Sequence, residues 1–193
     1  ASGLCAQLAF LTDPSTNLQR GVAIGAIDCR RVSLVRGRVT DRAGQGIGAV
    51  RVSLPGQPEM GLSLTRADGR YDIAVLGGGA VIVHFGMPGR LSAERQIDLA
   101  WGETASLEDV LLLEADAAST VITAGPASAA QVARGTTVSD SDGARRATLL
   151  FQPGTSATLR FPEGQASAVA SLTVRATEYT VGPDGKQAMP GAL

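Results

Sequence analysis

Residues 31–40, Arg-Val-Ser-Leu-Val-Arg-Gly-Arg-Val-Thr, interleave leucine and β-branched positions with polar ones, the pattern of a strand with one face in a core. Asp41-Arg-Ala-Gly44 supplies a turn, and 48–54 alternates again. The pattern repeats through 62–65, the turn Ala67-Asp68-Gly69, and 70–75, where Asp-Gly brings the positive φ of a tight hairpin. After the triple glycine 77–79 come 80–85, 93–99 and 107–113. About seven short strands at turn-punctuated spacing predict a β-sandwich over 31–114.

Small and polar residues fill a linker at 115–129, and strand-like alternation resumes at 130–139, 146–151, 155–161 and 168–179. The expected fold is all-β: two tandem β-sandwich domains, the first over 31–114 in an immunoglobulin-like pattern of short strands, the second partial over 130–193. Residues 1–30 read as a loop-rich prefix. The last alternating element, 168–181, is long and apolar at alternate positions, with Pro183 and Pro190 only after it, so the second domain is expected to be incomplete alone.

Composition narrows the function classes. An apolar content of 44% with 18% charged residues suits a packed globule, and a formal net charge of −1 gives no footprint for nucleic acid or an anionic membrane. No apolar run reaches the ~18 residues of a membrane helix, so membrane insertion is not expected. Cys5 and Cys29 both precede the first clear strand. A disulfide between them would close a loop of about 25 residues and add roughly 3 kcal/mol in the chain-entropy model, which suits a secreted chain; two buried thiols are the alternative.

Catalytic constellations are scarce. His84 is the single histidine and shares a strand face with Ile82, opposite Val81, Val83 and Phe85. Glu108 and Asp109 are adjacent on an expected strand and would face opposite ways, so they make no acid–base pair. Asp140, Asp142 and Gly143 hint at a calcium loop but lack the later bidentate glutamate. Gly77-Gly-Gly79 is followed by a strand, and a phosphate loop needs a helix there. Lys186 and Asn17 are the only lysine and asparagine, so an isopeptide cross-link has no reactants within the first sandwich. No enzyme and no cofactor are expected.

Several phrases resemble known families. Val35-Arg-Gly-Arg-Val-Thr-Asp-Arg-Ala-Gly44, Ile47-Gly-Ala-Val-Arg-Val52, Thr65-Arg-Ala-Asp-Gly-Arg-Tyr-Asp-Ile73 and Gly86-Met-Pro-Gly-Arg90 resemble the carboxypeptidase-regulatory-like, or transthyretin-like, sandwich. The second domain, with Gly154-Thr-Ser-Ala-Thr-Leu159, resembles a fibronectin-like plug. The terminal phrase from Arg175 through Thr177-Glu-Tyr-Thr-Val-Gly-Pro183 to Leu193 resembles the signature before the repeat shell of bacterial Rhs/YD-repeat proteins, relatives of teneurins.

The resemblance implies a non-catalytic structural module that attaches to and plugs the YD-repeat shell of a large secreted or surface bacterial protein. Its partner would be the remainder of its own chain. Tyr179, Val181 and Met189 are the expected shell contacts, as apolar groups on a segment that wants a covering surface. The alternative is an extracellular carbohydrate- or protein-binding module using the loops 55–60 and 87–90, which are poor in sugar-stacking aromatics.

Overall fold

The computed structural model describes residues 3–140, 143–179 and 185–191. The chain divides into two compact units, 1–114 with 183–193, and 115–182. The division falls after Glu114, and the tail, expected in the second domain, belongs to the first unit.

The first unit opens with a helix, α1 (Leu4–Thr12), where the sequence reads as loop. Leu4, Leu8 and Leu11 recur at the i, i+4, i+7 spacing of one helix face, and Leu8 and Leu11 are buried against the core. A disulfide joins Cys5 in α1 to Cys29.

The strands follow as β1 (Gln19–Arg20), β2 (Val32–Thr40), β3 (Arg51–Ser53), β4 (Leu62–Leu64), β5 (Arg70–Leu76), β6 (Gly79–Gly86), β7 (Ala93–Leu99), β8 (Thr104–Ser106) and β9 (Val110–Leu111). One sheet runs β1-β4-β3-β6-β7; the other runs β5-β2-β8, with β9 also on β2. β8 and β9 both pair with β2 in parallel. Of the strand expected at 107–113 only Val110–Leu111 is in the ladder as β9; β8 precedes it, and Glu108 and Asp109 lie between the two.

Alternation fills the core as the pattern predicts. Val35, Val39, Tyr71, Ile73 and Val75 of one sheet are buried with Val52, Val81, Val83 and Phe85 of the other. The rings of Tyr71 and Phe85 meet edge to face at 5.3 Å. Gly69 takes φ +82° in the Asp-Gly turn ahead of β5.

The free edge of β5 is closed by side chains rather than by another strand. Gln19 donates from Nε2 to the carbonyl oxygens of Met60 (2.7 Å) and Ala74 (2.9 Å), and its Oε1 accepts the Ala74 amide at 2.7 Å. Gln57 does the same with Leu76, at 2.7 Å in both directions, and Ser63 Oγ donates to the Asp72 carbonyl. Primary amides reproduce the donor–acceptor pair of a neighbouring strand and occupy backbone groups that a free edge would leave open. Gln19 is wholly buried for that reason.

The second unit holds β10 (Thr120–Thr123), β11 (Gln131–Arg134), β12 (Val138–Asp140), β13 (Gly143–Arg145), β14 (Thr148–Phe151), β15 (Ala157–Arg160), β16 (Ala166–Val169) and β17 (Ser171–Val174). These form antiparallel two-stranded ladders, β10-β17, β11-β14, β12-β13 and β15-β16. β10 lies inside the expected linker. The long element expected at 168–181 is instead two short strands that break at Ala170 and end at Val174.

Asp116 ties the start of this unit to its end. Its carboxylate accepts from the amides of Ala118 and Thr136 and the Thr136 hydroxyl, its own amide donates to Thr177 Oγ1, and Arg175 donates to the Asp116 and Ala117 carbonyls. The hydrogen bonds from Thr136 and Ala118 hold the Asp116 pKa below the usual carboxylate value. Past Val174, Arg175 and Thr177 thus turn to this knot, while Glu178 accepts from Arg145 Nε at 3.0 Å.

Candidate functional site

β7 is the edge of the five-stranded sheet, and its outer side is occupied by the C-terminal tail. The tail carries a one-turn helix, α2 (Gly185–Ala188). The Glu94 amide donates to the Pro190 carbonyl at 3.0 Å, as a further strand would accept. Beside it, Arg95 donates through Nη1 to Met189 O (2.9 Å) and Glu94 O (2.6 Å), with Gly191 O at 3.4 Å, and through Nη2 to Gln187 O.

Arg95 is only 8% exposed. Burial lowers its guanidinium pKa from the ordinary value, while the neighbouring Tyr71 and Glu108 act in the opposite direction. Its charge is met by backbone carbonyl oxygens of the tail, a planar fork gripping extended chain. Lys186 of the tail stands 4.0 Å from Glu108 in the 107–109 bulge, an exposed pair that contributes little. Arg95 is the residue that organises this surface, and sequence reasoning passed over it. The only sign in the sequence is an arginine at position 95 at the same alternate register as Ala93 and Leu99, which face the core.

The expected contact residues separate. Met189 lies on the strap with its side chain exposed, and its carbonyl is held by Arg95. Tyr179 belongs to the second unit and is half-buried, which raises its pKa. Val181 lies outside the described residues.

The second unit presents a different kind of surface. Val121, Val132, Leu149, Leu150, Leu159 and Phe161 are exposed on or beside its strands, whereas Ile122, Ala133 and Ala176 are its buried apolar residues among those described. Leu150 is 62% exposed in the middle of β14.

The other sequence candidates stay apart. His84 is half-buried on β6, its ring beside Gly86, while Val81, Val83 and Phe85 fill the core face as alternation requires. Cys5 and Cys29 are bonded to each other. Glu108 and Asp109 sit in the bulge and not on a strand, Asp109 lying 3.9 Å from Arg38. Asp142 lies outside the described residues, as does the side chain of Asp140. Gly77 and Gly78 pack on Ala100 and Trp101 in the turn between β5 and β6. Among the described residues no three or more His, Cys, Asp or Glu side chains converge as a metal site.

The loops of the alternative binding surface are already engaged. Pro58–Met60 is a 3-10 turn with Met60 fully buried, and Gln57 is spent on Leu76. Arg90 donates to Leu112 O and pairs with Glu114 at 2.9 Å. No helix among the described residues is long and apolar enough to cross a membrane.

Comparison with known proteins finds similarity to teneurins. Teneurin-m of Drosophila melanogaster is 35% identical over 106 residues, 55% of this chain and 4% of that protein. Teneurin-1 of Mus musculus is 31% identical over 96 residues, 49% of this chain and 4% of that protein. The match thus spans about 4% of the length of these teneurins. Among solved structures, the Bacillus anthracis TIE protein aligns at a TM-score of 0.38 and 14% identity, covering 72% of this chain and 31% of that one, a likeness too slight to argue from. Residues 27–112, which hold β2 through β9, match the family model of the teneurin TTR-like domain.

Proposed function

We propose that this chain is a non-catalytic assembly module of a larger secreted or cell-surface teneurin-like protein. In this reading the first unit is the anchor, and the second unit fastens to and plugs a YD-repeat shell formed by the rest of the chain. The single observation that carries it is the second unit's surface. Paired ladders that bury Ile122, Ala133 and Ala176 while exposing Val132, Leu149, Leu150, Leu159 and Phe161 hide too little apolar area to be stable bare. The likeness of 27–112 to the teneurin TTR-like domain supports the kind of protein. Tyr179, Val181 and Met189 are the proposed contacts with the shell.

Hydrogen exchange tests the proposal, on this chain alone and on the chain extended by the sequence that follows it naturally. Amides of β11, β14, β15 and β16 should exchange faster than those of β5 and β6 in the short chain and become protected in the long one. Equal, high protection of both sets in the short chain would show that the second unit is self-sufficient and would remove the proposal's main support.

A further inference from the structure

The outward face of β2 and β5 carries arginines for which the assembly reading has no use. Arg36 and Arg38 of β2, Arg70 of β5 and Arg66 from the preceding turn surround a concavity of about 360 Å³ whose carboxylates are Asp72 and Asp109. Four guanidinium groups against two carboxylates leave an excess of two positive charges. Asp68, 3.6 Å from Arg70 at the rim, brings it to one.

Cross-strand register makes the imbalance specific. Arg36 faces Asp72, but Arg38 faces Arg70 directly, and like charges opposed across an antiparallel pair destabilise a sheet. Asp72 is shared between Arg36 (3.2 Å) and Arg66 (2.8 Å). Arg38 is oriented by the carbonyls of Asp68 (3.0 Å) and Gly44 (3.3 Å), and its nearest carboxylate, Asp109, stands beyond hydrogen-bond reach at 3.9 Å.

The fold opens this space on purpose-built geometry. Leu107 makes the last amide contact of the β8 end, to Arg36 O, and pairing with β2 resumes only at Val39 with Val110. The gap leaves Gly37 and Arg38 uncovered, with Ser106 and Asp109 at its lips. A Cβ on Gly37 would stand 2.8 Å from the Tyr71 hydroxyl. That hydroxyl is fully buried beneath and has no hydrogen-bond partner among the described residues.

We propose that this concavity binds a phosphate or sulfate group, free or as an ester on a small sugar, gripped by Arg38 and Arg70 with Arg36 and Arg66 beside them. A bound anion offsets the local positive excess and relieves the opposed pair, and the arginine fork suits two of its oxygens at once.

The test follows the arginine Nε–H signals of the whole chain by NMR at an ionic strength of about 0.01 M, where screening is weak. Inorganic phosphate should shift Arg38 and Arg70 saturably, with a dissociation constant of about 1 mM, and chloride at matched ionic strength should not. Arg38→Gln and Arg70→Gln should each weaken binding by about tenfold or more, while Arg51→Gln on β3 should leave it unchanged. Tighter binding of glucose 6-phosphate than of phosphate would assign an ester, and equal binding the free ion. A second readout separates ligand binding from structure: without phosphate, Arg70→Gln should raise the melting temperature, and phosphate should stabilise the parent chain and Arg51→Gln more than Arg70→Gln. No saturation, an equal chloride response, the Arg51 variant behaving like the others, or a lowered melting temperature for Arg70→Gln without phosphate would each overturn the proposal.

Discussion

Replacing Arg95 by alanine should release the C-terminal strap without unfolding the sandwich. Its guanidinium donates to two tail carbonyls, those of Gln187 and Met189, and the 3.4 Å approach to Gly191 is too long to add much. Hydrogen bonds from a charged donor contribute about 1.5–3 kcal/mol each, and the freed carbonyls regain water, so about 3 kcal/mol of docking free energy should be lost. That corresponds to about two orders of magnitude in the ratio of docked to released tail. The Glu94 amide is the direct reporter, because its proton is held by the Pro190 carbonyl. In Arg95→Ala it should exchange up to about a hundredfold faster, with Val83 and Ile73 in the core unchanged. Arg95→Lys should fall between, a compact ammonium reaching fewer carbonyls than a planar fork. Unchanged exchange at Glu94 would refute the clamp, and an equal rise at Glu94, Val83 and Ile73 would show that Arg95 supports the sandwich as a whole.

Other outcomes follow from single groups. Cys5→Ser with Cys29→Ser should cost roughly 3 kcal/mol in denaturant unfolding, since the bridge spans 24 residues and ties α1 to the start of β2; stability equal to that of the oxidised parent would refute it. Asp116 has a folded pKa held below its unfolded value near 3.8, so its contribution to the second unit is complete above that pH and lost as pH falls through the lower folded value. Asp116→Asn should therefore flatten the acid limb of unfolding followed by second-unit amides, and an unaltered limb would show that the knot does not depend on the carboxylate. Tyr71→Phe removes a buried hydroxyl without a partner and should raise stability by about 1 kcal/mol, whereas a loss of similar size by calorimetry would mean that the hydroxyl is satisfied.

The first sandwich was legible because each face of its strands meets a different medium. Val81, Val83 and Phe85 must be apolar and their neighbours need not be, so a two-residue period is written into the chain. What the period cannot show is what happens at the edges. Gln19 and Gln57 read as ordinary polar loop residues, yet they complete β5 by copying a backbone ladder, and only the partner's position in space reveals it. Arg95 was illegible for the same reason: its meaning depends on carbonyl groups about ninety residues away, which carry no side-chain signal. The glycines and turn residues of the prefix point to loop, although three leucines on one helix face mark α1. In the second unit the strand period was followed too far, since alternation over 168–179 marks half-buried positions without saying that the backbone partner changes. Ala170 ends one ladder, Ser171 begins another, and Arg175 and Thr177 turn to Asp116, a choice made by hydrogen bonds across some sixty residues of sequence. The candidate site divides along the same line: exposed apolar residues can be counted from a pattern, whereas a guanidinium fork that holds a peptide tail becomes visible only when β7 and the tail are seen side by side.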